Sequence, residues 1–125
     1  MELDDRWVRL TSKLIELTRQ KKLTWEGPDD GTVTDTGRKF KQFFAHYQDK
    51  YFRVRKNYGD FIRASKTGGE IRSAGETKYF LAIMDEDKNM LYSIPETAAF
   101  EELFEAVIFQ KAGIDKLLDD LLKDP

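Results

Sequence analysis

Tyr51, Arg53 and Arg55 alternate with Phe52 and Val54. In a strand, that spacing puts one tyrosine and two guanidinium groups on one face and the apolar pair on the other. Guanidinium groups meet phosphate oxygens through paired, charge-assisted hydrogen bonds, and a ring beside them offers a stacking plane. The same residue types continue in Tyr58, Phe61, Arg63 and Lys66. Read as a binding surface, Tyr51, Tyr58 or Phe61 stacks on a base while Arg53, Arg55, Arg63 and Lys66 meet phosphates. Read as ordinary architecture, Arg53 and Arg55 belong to a solvated outer face of the kind antiparallel sheets commonly have. The run Lys66-Thr67-Gly68-Gly69 adds a lysine, a hydroxyl and two flexible amides. It is no Walker motif, because the order is wrong, the first glycine is missing and no helix pattern follows, and a hairpin tip has the same composition.

These residues sit in a strongly divided chain. Residues 38–78 carry eleven Lys and Arg against four Asp and Glu and hold eight of the sixteen aromatic residues, whereas the net charge of all 125 residues is −2. The small overall charge argues against general coating of nucleic acid, and a single-stranded nucleic acid on the basic segment is the weakest of the binding readings. A local anion site is compatible with it.

Other chemistry has little support. His46 is the only histidine and cysteine is absent. A serine triad would therefore have one imidazole and no nucleophile elbow around it, and a zinc site would lack its usual His and Cys ligands. Asp85, Asp87, Asn89 and Glu96 match places one, three, five and twelve of a calcium-binding loop. Place six, however, is Met90 where the turn needs glycine, Pro95 falls inside, and a strand pattern precedes. Neighbouring carboxylates such as Glu101-Glu102 and Asp119-Asp120 point apart on a helix and suit a solvated face. The sequence thus predicts a non-catalytic protein with no metal and no cofactor.

The elements that must position the basic and aromatic groups follow from periodicity. Leu3, Trp7, Leu10, Leu14 and Leu17 form a helical stripe, with Asp4 and Asp5 at the start and Arg19, Lys21 and Lys22 at the end complementing the helix dipole. Leu23-Thr24-Trp25-Glu26 and Thr32-Val33-Thr34 read as a hairpin around Gly27-Pro28-Asp29-Asp30-Gly31, with Trp25 closing the core. Two stronger strands follow at 39–47 and 51–56, joined by a turn at 48–50. Residues 57–78 are broken by Gly59, Gly68, Gly69 and Gly75 into short β-like pieces around Phe61-Ile62 and Glu70-Ile71. Residues 79–84 are apolar on both faces, as for a strand covered on both sides by helices or another subunit. An acidic turn leads to a strand at 90–94, and Pro95-Glu96-Thr97 opens a helix. Its apolar face, Phe100, Leu103, Phe104, Val107 and Ile108, continues in phase through Ile114, Leu117, Leu118, Leu121 and Leu122. That pattern fits one long helix or two pieces bent at Gly113.

The expectation is a single α+β domain spanning residues 1–125. It has an N-terminal helix, an antiparallel sheet of about five or six strands and a long C-terminal helix, with the helices on one sheet face. The longest apolar run is six residues and the first residues are acidic, so neither a membrane span nor a signal peptide is expected. With no cysteine to pair, a cytoplasmic setting is the simplest expectation.

The order of a Trp-bearing helix, the Leu-Thr-Trp-Glu strand, aromatic strands, the Asp-Glu-Asp-Lys-Asn hairpin and a leucine-rich last helix resembles small uncharacterised α+β proteins borne by bacterial mobile elements and phages. The resemblance implies this fold and a bacterial or phage setting, and it brings no activity or binding residues with it. Two functions are therefore expected as alternatives. One is an inhibitor- or immunity-like interaction protein, working as a homo-oligomer or against a protein partner. The other is a phage-type anti-defence protein that sequesters a nucleotide or other phosphorylated small molecule on the basic, aromatic sheet face.

Overall fold

The computed structural model describes residues 5–32, 38–59, 61–64, 68, 70–73 and 75–123. The elements run α1 (Asp5–Arg19), β1 (Glu26–Thr32), β2 (Lys39–Tyr47), β3 (Lys50–Asn57), β4 (Phe61–Ala64), β5 (Glu70–Ser73), β6 (Lys78–Met84), β7 (Met90–Ser93), α2 (Ala99–Lys111) and α3 (Ile114–Lys123). Five strands form an antiparallel sheet in the order β1-β2-β3-β6-β7, and β4 pairs with β5 in a separate two-stranded ribbon. The α+β architecture expected from the sequence is present.

One face of the sheet is the core face. Phe43 and Ala45 on β2, Val54 on β3 and Leu81 on β6 lie in one buried cluster with Leu14 and Ile15 of α1 and Phe100, Leu103, Phe104 and Val107 of α2. Val54 and Leu81 face each other across the β3–β6 ladder and are fully buried, each contributing about 1.5–3 kcal/mol of hydrophobic stabilisation. Trp25 is buried as expected, its indole N–H donating to the Thr18 hydroxyl at 2.9 Å. Gln110 of α2 completes this corner. Its side-chain oxygen accepts from the Trp25 amide, and its Nε2 donates to the carbonyls of Thr18 and Leu23. One side chain thereby satisfies three backbone groups where α1 ends and the chain turns toward the sheet.

Three expectations are corrected. The hairpin predicted around Gly27–Gly31 is a single edge strand, β1, which pairs along its length with β2; Val33 and Thr34 lie outside the described residues. Turn-forming residues are tolerated there because an edge strand needs hydrogen bonds on one side only. The register shift between Glu26 and Asp29 absorbs Gly27 and Pro28 as a bulge.

The C-terminal helix is not continuous. Gly113 adopts φ +65°, a left-handed conformation, and its amide donates to the Gln110 carbonyl, which ends α2 and starts α3 in a new direction. Only α1 and α2 therefore pack on the sheet, and α3 buries none of its residues. Of the two forms the in-phase spacing allowed, the one divided at Gly113 is present, and the long C-terminal helix is not.

The short β-like pieces expected around Phe61-Ile62 and Glu70-Ile71 are present as β4 and β5. Asn57 pairs with Lys78, and Phe61 with Ser73, where an unslipped register would give residue 74. β4 and β5 thus prolong the β3–β6 hairpin past a one-residue slip. At the slip, Gly59 is buried against Gly75 so closely that a Cβ would overlap the Gly75 carbonyl, and its amide donates to the Thr77 hydroxyl at 3.1 Å.

Residues 79–84 are covered on both faces, but the helices supply only one cover. On the opposite face Ala82 and Met84 are buried within this one chain.

Candidate functional site: the outer face of the sheet

The face turned away from α1 and α2 is built by the other half of each strand's alternation. Across the ladder, Phe44, Arg53, Ala82 and Ser93 form one row, Gln42, Arg55 and Phe80 the next, and Phe40 and Asn57 the one beyond. Tyr51 stands beside His46 and Met84 on the far side of Arg53. The register therefore interleaves two arginines with phenylalanine and tyrosine rings.

The two guanidinium groups have different surroundings. Arg55 lies over the Phe40 ring, its Cζ 4.0 Å from the centroid, and its Nε donates to the Asn57 side-chain oxygen at 2.8 Å. Burial pushes its pKa down, partly offset by the Asp29 carboxylate, which itself accepts from Gln42 Nε2 at 2.7 Å. Arg53 has no such compensation. It is half-buried, and its Nε is sealed from solvent without an acceptor among the described residues. Burial, then the charge of Arg55, pushes its pKa below the usual arginine value. The Gln42 side-chain oxygen nearby in the ladder is also buried without a donor. A buried polar group without a partner costs about 1–3 kcal/mol, and more where it carries charge.

The rings come from two elements and the turn contributes a cation. The His46 ring lies 4.7 Å from that of Tyr51 at a tilt of 40°, and Phe44 meets Tyr51 edge-on at 6.5 Å. Lys88, in the β6–β7 turn at φ +63°, places its ammonium 4.7 Å from the Phe44 centroid and 5.2 Å from that of Tyr51. It also pairs with Glu26 at 3.8 Å. The turn that carries it is organised by Asp85, whose Oδ1 accepts from the amides of Asp87 and Asn89. That carboxylate is used as a turn device.

The predicted site residues separate into three groups, with Lys66 left over. Tyr51, Arg53 and Arg55 share the outer face as the alternation requires. Tyr58 does not join them: it lies near Lys56, whose ammonium is 4.8 Å from its ring and 5.9 Å from that of Phe104 on the core side. The even-numbered residues after Val54 keep to the core side of the strand, which separates Tyr58 from the arginines. Phe61 and Arg63 are alternate residues of β4, in the separate β4–β5 ribbon and not in the five-stranded sheet. Lys66 lies outside the described residues. The sequence reading missed Phe40, Phe44, Gln42 and Lys88. Phe40, Gln42 and Phe44 alternate in a way that marks a common face, but only the β2–β3 register places that face beside Arg53 and Arg55.

No family model matches the chain, and neither a characterised protein nor a solved structure was found similar to it. Among the described residues no three His, Asp or Glu side chains group as metal ligands, and no helix is long and apolar enough to cross a membrane.

Proposed function

We propose that this protein binds a small anionic ligand carrying a flat ring, a nucleotide being the plainest case, on the outer face of the sheet, and holds it without converting it. The observation that carries the reading is Arg53: a half-buried guanidinium with a sealed, acceptor-free Nε, beside a second guanidinium and flanked by aromatic rings. A phosphate oxygen supplies what that environment lacks. Charge-assisted hydrogen bonds of this kind contribute about 1.5–3 kcal/mol each. Tyr51 and Phe44 provide stacking planes, and Lys88 adds a third positive charge at their edge. Holding without turnover is consistent with His46 being the chain's only imidazole.

Thermal-shift and calorimetric titration against mono-, di- and cyclic nucleotides, with inorganic phosphate as a ring-free control, tests the reading. A nucleotide at a hundred times its Kd raises stability by about 2.7 kcal/mol. The expected pattern is a shift with nucleotides that exceeds the shift with phosphate and vanishes in Arg53→Met. A flat response across the whole panel overturns it.

A further inference from the structure

The last helix is an amphipathic surface, and none of its residues is buried. Ile114, Leu117, Leu118, Leu121 and Leu122 recur at helical spacing, yet the four leucines are 53%, 46%, 64% and 82% exposed. α3 touches the rest of the chain through the Gly113 turn and through an ion pair, Lys21 Nζ to Asp115 Oδ2, at 3.5 Å. A ten-residue helix is marginal in water unless its apolar face is packed. Ile108 and Phe109, at the end of α2, are exposed as well, at 36% and 44%.

We propose that α3 is a self-association surface, through which two copies of this chain pair with their α3 helices antiparallel about Leu118. Area supports a second copy as the occupant. The exposed apolar side chains of α3 and the end of α2 offer on the order of 500 Å² per copy, at the upper end of what a monomer normally leaves open. Two such faces bury about 1,000 Å² together, which reaches the size of a specific interface. Lys116 and Asp120, two residues either side of Leu118, lie on the opposite side of the helix and leave the leucine face free of their charge. The polar side of α3 argues against a lipid surface as occupant. It carries Asp115, Asp119 and Asp120 against Lys116 and Lys123, whereas helices that lie on anionic membranes have a predominantly basic polar face.

The absence of cysteine makes the geometry directly testable. Leu118→Cys brings two thiols together at the two-fold and is expected to form a disulfide-linked dimer on mild oxidation. Lys123→Cys, whose two copies fall at opposite ends of the pair, stays uncrosslinked. In sedimentation velocity the native chain shifts from monomer to dimer with rising concentration. The double variant L118D/L121D remains monomeric while the fluorescence of the buried Trp25 stays native, since both substituted positions are exposed and lie outside the core. A native chain that is monomeric at every concentration overturns the proposal, whether or not α3 then binds vesicles. Efficient crosslinking through Lys123→Cys, or a dimer that survives L118D/L121D, overturns it equally.

Discussion

Arg53 occupies a position where stability and binding pull in opposite directions. Folding removes part of its guanidinium from water, seals Nε without an acceptor and sets it beside Arg55. All three effects penalise the charged form in the unliganded protein. Arg53→Met keeps the length and apolar stem while removing the charge. It is expected to raise stability by roughly 0.5–1 kcal/mol, a figure discounted for the solvent screening of a half-exposed group. The same change abolishes nucleotide capture, and paired urea melts and titrations check both halves. Gln110 is the opposite case, a polar side chain whose every contact is used. Gln110→Ala leaves the Thr18 and Leu23 carbonyls and the Trp25 amide without their partner, and a loss of about 2–3 kcal/mol in urea unfolding is expected.

At the scale of elements, the junction between the sheet and the β4–β5 ribbon depends on Gly59 having no side chain. Gly59→Ala forces a Cβ into the Gly75 carbonyl and parts the two strands there. The expected result is faster amide hydrogen exchange in β4 and β5, with the Val54–Leu81 ladder still protected. This region also shows where the sequence was legible. Alternation in residues 51–56 correctly put Tyr51, Arg53 and Arg55 on one face, and the helical stripes named Leu14, Phe100, Leu103, Phe104 and Val107 of the core, although Ile108 of the second stripe is exposed. The β1 edge strand was not legible, because Gly27, Pro28, Asp29 and Asp30 have turn chemistry and only pairing with β2 overrides it. Phe40, Phe44 and Lys88 were missed for a related reason. Which rings flank Arg53 depends on strand register and on a turn arriving from another hairpin, and neither leaves a local pattern.

Over the whole molecule, the uneven charge acquires a spatial meaning. The two arginines and Lys88 concentrate positive charge on the outer sheet face, while the aspartates of α3 lie on a helix that does not pack on the sheet. Ligand capture is accordingly expected to weaken several-fold between about 0.05 and 0.5 M salt as the screening length shortens from about 14 Å to about 4 Å. Self-association through leucines is expected to hold or strengthen over the same range, and titration and sedimentation at matched salt separate the two. The clasp made by Gln110 has a further consequence in time. Its bonds join residues separated by 85, 87 and 92 positions, so they form only when the two ends of the chain have already met. Closing so long a span is costly, and these contacts are expected to form late, after the barrier to folding. Removing the clasp should therefore leave the refolding rate nearly unchanged while unfolding accelerates by one to two orders of magnitude, which would make Gln110 the latch on the native state's lifetime.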